Sequence, residues 1–213
     1  MLSLIYISVI ASLLTTALVI ALIPLATRLG LVDKPSARKQ HKGEIPLIGG
    51  PVIWLVVVVG LLIFIPNPPW GGIMAATMLV ILGMVDDRQP VPAVIKLVFH
   101  IAAATIVVMG ENLAVSNIGI FNETFGSPDF ASLHSIIAVF FIVLIINAFN
   151  MLDGIDGLAA GLGLVAISFA FIATEGRIPV VESDLLLLMV GALSAYLIFN
   201  LDIFPKWLPK IFM

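Results

Sequence analysis

Seven predominantly apolar stretches, each near the ~20 residues a helix needs to cross a bilayer, dominate the chain: 3–27, 46–65, 71–85, 91–109, 135–152, 158–174 and 185–202. Prolines and charges punctuate them. Pro66, Pro68 and Pro69 break the chain ahead of the third stretch and Asp86 closes it, so 71–85 reads as a span although it is short. No internal repeat, low-complexity segment or soluble domain interrupts the series. The first stretch has no basic segment before it, is longer than a signal-peptide core and is followed directly by Arg28, so it reads as a retained span. The pattern predicts an all-α, polytopic membrane bundle of about seven transmembrane helices, forming a single domain over 1–213.

Composition agrees. Of 213 residues, 61% are hydrophobic and 11% charged, and the mean hydropathy is +1.21, whereas about a quarter of a soluble domain is charged. There is no cysteine, which removes disulfides and thiolate metal sites. The net charge of −3 gives no reason to expect a nucleic-acid partner. The distribution of charge is more informative. With the amino terminus outside, Arg28, Lys34, Arg38, Lys39, Lys42, Arg88, Lys96, Lys206 and Lys210 fall on or near the inner side, leaving only Arg177 of the ten basic residues outside. The positive-inside rule then puts the carboxy terminus, the loop 28–45 and both acidic clusters on the cytoplasmic face.

Those clusters carry the chemistry. The run Asn147-Ala-Phe-Asn150-Met-Leu-Asp153-Gly-Ile-Asp156-Gly places two amides and two carboxylates between long apolar runs, and Asp86-Asp87-Arg88 ends another. Charges so close to hydrocarbon are costly and need compensation. If both clusters emerge on one face, four carboxylates converge where a metal ion or a phosphorylated substrate could sit. Each residue also has a plainer role open to it. Asp156 could be the N-cap of a helix starting near Leu158, Asn147 and Asn150 interhelical hydrogen-bond donors, and Asp86 and Asp87 solvated charges paired with Arg88. Lys96 could snorkel or meet a lipid phosphate. His100 reads as a satisfied core histidine, and Gly49-Gly50 as a place of close helix approach.

Three segments together resemble one family. His41-Lys-Gly-Glu-Ile-Pro-Leu-Ile-Gly-Gly50, Asp86-Asp87-Arg88 with Lys96-Leu-Val-Phe-His100, and Asn147 to Gly157 are similar, in order, to signature segments of the polyprenyl-phosphate N-acetylhexosamine-1-phosphate transferases, glycosyltransferase family 4. The likeness runs from about Gly30 to Met213. It is nearer to the bacterial undecaprenyl-phosphate N-acetylglucosamine branch than to the muramoyl-pentapeptide branch. The resemblance implies transfer of a sugar 1-phosphate from a UDP-N-acetylhexosamine to undecaprenyl phosphate, with release of UMP, for cell-envelope polysaccharide synthesis. It implies Mg²⁺ or Mn²⁺ as cofactor and a place among the lipids of the bacterial inner membrane, with the active face cytoplasmic. By the same resemblance Asp86, Asp87, Asp153 and Asp156 are catalytic, Lys42, Arg88, Lys96, Asn147 and Asn150 bind substrate, and Asp87, Asn150 and Asp153 hold the metal.

The chain also departs from the family. His100 stands where a glutamine is common, and members continue past a segment like Lys210-Ile-Phe-Met213 into a Gly-Asp-Ala-Gly-Ser motif and ten or eleven spans. The expectation is therefore a chain little active alone, and three explanations stay open: a truncated or frameshifted product, a split enzyme completed by a second, carboxy-terminal chain, or an incomplete paralogue. A homodimer or that complementing chain are the candidate protein partners. Two rival classes stay open: a non-catalytic binder of polyprenyl phosphate, and a cation-conducting bundle, which would carry its acids near the bilayer midplane.

Overall fold

The computed structural model describes residues 2–34, 43–113, 131–173, 180–201 and 208–213. Among the described residues there are seven helices: α1 (Leu2–Leu29), α2 (Gly49–Phe64), α3 (Trp70–Arg88), α4 (Ala93–Gly110), α5 (Ala131–Leu152), α6 (Leu158–Ala173) and α7 (Val180–Asn200). Five contain stretches long and apolar enough to cross a membrane, namely Tyr6–Leu29, Trp70–Arg88, Ala93–Gly110, Leu133–Leu152 and Ser183–Asn200. The other two, α2 and α6, have 16 residues each, about 24 Å at 1.5 Å per residue, against a hydrocarbon core of about 30 Å. The protein is an all-α, multi-pass membrane protein.

Helix boundaries follow the breakers, with one correction. The helix α3 does not stop before Asp86 but continues through Asp86, Asp87 and Arg88. It ends because Gln89, which precedes Pro90, is extended at φ −142° and ψ 116°, the conformation forced on a residue before proline. The acids thus sit in the last helical turn. A feature outside the helix pattern is a two-residue antiparallel ladder of β1 (Val32–Asp33) and β2 (Ile45–Pro46), pairing Val32 with Pro46 and Asp33 with Ile45.

The chain divides into two compact units, Met1–Pro68 with Leu152–Met213, and Pro69–Met151. In the first, α7 packs against α1, α2 and α6. Half of its Ser183–Asn200 stretch is buried by protein, against 6% of Leu133–Leu152 in α5. Small residues permit this packing. A Cβ at Gly191 would lie 2.2 Å from the Ser8 carbonyl oxygen, and one at Gly60 2.4 Å from Leu188 Cδ2. Two hydroxyls donate across the α1–α7 contact, Ser8 Oγ to the Leu187 carbonyl at 3.1 Å and Ser12 Oγ to the Gly191 carbonyl at 2.9 Å, the polar bonding typical of helices in lipid. In the second unit α3 and α4 pack as a hairpin. Near the Trp70 end of that hairpin, Glu111 Oε1 accepts the N–H of Gly72 at 3.2 Å.

Candidate active site

The hairpin turn Gln89-Pro90-Val91-Pro92 is built on one carboxylate. Pro90 and Pro92 have no amide N–H, and Gln89 N–H is used by the Val85 carbonyl at 2.9 Å. The remaining turn amide, Val91 N–H, donates to Asp86 Oδ1 at 2.7 Å. The other oxygen of Asp86 accepts from Lys96 Nζ at 2.5 Å. Lys96 is the fourth residue of α4, which puts its ammonium beside the last turn of α3. An acid at a helix carboxy terminus opposes the local dipole, and the lysine compensates it. The partner of Lys96 in this structure is thus Asp86. Asp87 and Arg88 occupy the same turn of α3.

An apolar groove of about 780 Å³ runs along this hairpin, with Trp70, Met74, Ile81, Val85 and Phe99 among its walls. It reaches the turn at Gln89 to Pro92. Further along α4, His100 is 6% exposed, and its Nδ1 is buried without a hydrogen-bond partner. The Asn147 amide donates to the Val143 carbonyl of its own helix at 2.8 Å. Asn147 is thus tied to its own helix, and His100 is a core histidine whose Nδ1, against expectation, is left unsatisfied. Asn150 lies one turn beyond Asn147, in the last turn of α5.

In the other unit, the acidic loop links α5 to α6. Ile155 N–H donates to the Leu152 carbonyl at 3.3 Å and Leu158 N–H to the Ile155 carbonyl at 3.1 Å, two successive tight turns. Gly157 occupies the N-cap position of α6, because its carbonyl accepts the Gly161 N–H at 2.8 Å. The N-cap role open to Asp156 in sequence belongs to its neighbour. Gly157 has φ +71°, and a Cβ there would lie 2.3 Å from Leu201 Cδ2, so glycine is required by conformation and by space. Asp156 Oδ2 instead accepts from Lys210 Nζ at 2.7 Å.

Among the described residues no hydrogen bond or ion pair holds Asp153. Its surface is exposed, yet desolvation by its surroundings pushes its carboxyl up to about 6.

The described residues contain no group of three or more His, Cys, Asp or Glu able to hold an ion by themselves. That does not disqualify Mg²⁺, which commonly takes one or two carboxylates and fills its remaining positions with substrate phosphates and water. Asp153, ionisable and unengaged, fits that demand better than Asp86 or Asp156, each already committed to a lysine. Lys42 and the neighbouring His41 lie outside the described residues.

One residue escaped the sequence reading. Asn200, at the end of α7, is 3% exposed. Its Oδ1 accepts Gly157 N–H at 2.6 Å and its Nδ2 donates to the Ile211 carbonyl at 3.0 Å. The available signal was an amide closing a long apolar run, a costly placement unless it is paired.

Residues 69–213 match glycosyl transferase family 4. The chain belongs to this family. A probable undecaprenyl-phosphate N-acetylglucosaminyl 1-phosphate transferase of Bacillus subtilis (strain 168) is 30% identical over 202 residues, covering 92% of this chain and 55% of that protein. The undecaprenyl-phosphate alpha-N-acetylglucosaminyl 1-phosphate transferase of Escherichia coli O157:H7 is 34% identical over 198 residues, covering 88% of this chain and 51% of that one. The Salmonella typhi protein of the same name is 32% identical over 209 residues, or 93% and 54%. This member of glycosyl transferase family 4 thus spans about half the length of the curated relatives it matches. Every described candidate residue, from Asp86 to Asp156, lies inside the family-matched stretch.

Proposed function

We propose that the chain contributes to transfer of N-acetylhexosamine 1-phosphate from a UDP-sugar to undecaprenyl phosphate, with release of UMP, at the cytoplasmic face of a bacterial inner membrane. The observation that carries this reading is the placement of all eight described candidate residues within the family-matched stretch 69–213. Chemistry supports it. Two anionic substrates must approach one another, so cations must screen phosphate charge. Lys96, held beside the hairpin turn by Asp86, and Arg88 in the same region are suited to the acceptor phosphate. The apolar groove that reaches this turn suits an isoprenoid chain entering from the bilayer. Asp153 is suited to a divalent ion carrying the sugar-nucleotide pyrophosphate. A bound Mg²⁺ or Mn²⁺ would act as a Lewis acid on the phosphoryl oxygens. Asp87 is the carboxylate assigned to accept or position the acceptor's proton.

The test is UMP release from UDP-N-acetylglucosamine by purified protein with undecaprenyl phosphate and Mg²⁺. Two arms are run: the 213-residue chain alone, and the chain co-expressed with the remaining carboxy-terminal part of the Bacillus subtilis relative. Transfer in either arm that is lost in Asp153→Asn supports the reading. Absence of transfer in both arms, with an intact relative active in parallel, refutes it.

A further inference from the structure

The strip Pro209-Lys210-Ile211-Phe212 is laced to three parts of its unit. Ile211 N–H donates to the Phe199 carbonyl at 3.2 Å, Phe212 N–H to the Pro46 carbonyl at 2.9 Å, and Gly49 N–H to the Phe212 carbonyl at 2.8 Å. A Cβ at Gly49 would meet Tyr196 Cε2 at 2.4 Å and that same Phe212 oxygen at 2.9 Å, so the strip has little room to shift. It reaches the acidic loop by two routes. One is Lys210 to Asp156, an ion pair with side chains 23% and 43% exposed. Such pairs are worth little and rearrange readily. The other is Asn200, buried, with its acceptor on the Gly157 amide and its donor on the Ile211 carbonyl. Moving Gly157 away would strand a buried amide, which is costly.

We infer that Asn200 is a positioning residue for the acidic loop: it locks Gly157 to the strip at Ile211 and thereby fixes the direction from which Asp153 presents its carboxylate. The inference rests on the reading of Asp153 as a metal-facing group. Its physical basis is that a carboxylate acts on a metal only if its backbone is held within a fraction of an ångström by a supporting shell. Asp153 has no partner of its own among the described residues, and the tight turns at Ile155 and Leu158 carry the restraint from Gly157 back along the loop.

The experiment compares Asn200→Leu, which removes both functions of the amide, with Asn200→Asp, which keeps an oxygen for the Gly157 N–H. The 213-residue protein in lipid nanodiscs is followed by amide hydrogen exchange over peptides spanning 152–161, and by Mn²⁺ binding read from the ion's paramagnetic resonance. Asn200→Leu should speed exchange at Gly157 at least tenfold and weaken Mn²⁺ binding about tenfold. Asn200→Asp should hold Gly157 exchange within about threefold of wild type and restore most of the Mn²⁺ affinity. Lys210→Gln should leave Gly157 exchange unchanged. Should Asn200→Leu not insert stably, Asn200→Ser, whose hydroxyl falls short of the Gly157 amide, supplies the same comparison.

Unchanged Gly157 exchange in the Leu or Ser variant would overturn the inference. So would faster exchange with unaltered Mn²⁺ affinity, since the loop would then be held without its carboxylate being aimed. Because neither readout requires turnover, a wild-type protein that binds Mn²⁺ yet transfers no sugar phosphate would count against the proposed reaction and not against the role of Asn200.

Discussion

Gly191→Ala is the sharpest test of how the helices of the first unit are held together. The added Cβ would stand 2.2 Å from the Ser8 carbonyl oxygen, 2.9 Å from the Ser8 carbonyl carbon and 2.8 Å from Ala11 Cβ. Ordinary carbon–oxygen contact requires more than 3 Å, and a backbone carbonyl cannot rotate aside as a side chain would. The helices α1 and α7 must therefore separate by about 1 Å. That movement would stretch the Ser8–Leu187 and Ser12–Gly191 hydrogen bonds, now 3.1 and 2.9 Å, beyond useful length. Overpacking a close contact costs about 1–3 kcal/mol, and each interhelical hydrogen bond in lipid about 0.6 kcal/mol. The expected loss is roughly 2–4 kcal/mol. Gly161→Ala is the control. It lies in α6 with nothing within 4 Å of its would-be Cβ, so it should be neutral or stabilising by up to about 1 kcal/mol from helix propensity. Reversible unfolding of the detergent-solubilised protein by sodium dodecyl sulfate, followed by circular dichroism, measures both. A Gly191→Ala midpoint equal to wild type would refute the packing argument.

Four further outcomes are expected. Asp86→Asn should lower transfer at least tenfold by releasing Lys96, and Lys96→Gln should do the same, while the double variant should lose little more than either single one; fully additive losses in a double-mutant cycle would separate the two residues. Transfer and Mn²⁺ binding should rise with pH through about 6 as Asp153 gives up its proton, and Asp153→Asn should lose that dependence. Stability should move the opposite way. The folded Asp153 holds its proton to about pH 6 against an ordinary value of 3.8, so the unfolded chain ionises first and stability falls as pH rises from about 4 to 6; a wild-type melting curve as flat over that range as that of Asp153→Asn would contradict it. Cysteines at Glu44 and Leu113 should label from opposite sides of the membrane, the former from the cytoplasm; labelling of both from outside would invert the proposed orientation.

The helices were legible because lipid writes them plainly. A spanning helix needs an unbroken apolar run, and the breakers are covalent features of the chain. Pro66, Pro68 and Pro69 precede α3, and Pro90 and Pro92 separate α3 from α4. The misjudged end of α3 shows the limit of that logic. Charge signals a return to water, but Asp86 and Asp87 are tolerated in a helix and only Pro90 stops it. The β1–β2 ladder was illegible for another reason: two residues per strand carry no periodicity, and their register is set by where α1 ends and α2 begins.

The site was half legible, and the division is physical. Carboxylates next to hydrocarbon announce that something must compensate them, whatever the fold. Which residue does so depends on distances in space that sequence spacing does not encode. Asp86 takes Lys96 from across the turn, because Pro90 and Pro92 fold α4 back along α3 and bring the lysine to the carboxylate. Asp156 takes Lys210 from 54 residues away. These choices leave Asp153 without a compensating partner among the described residues. Its raised pKa is the measure of that deficit, since a carboxyl that must ionise in a desolvated place is stabilised most by the first cation to reach it. A divalent ion arriving with a pyrophosphate supplies that cation only when substrate is present, so the loop would gain order on binding, with Asn200 already holding its far end.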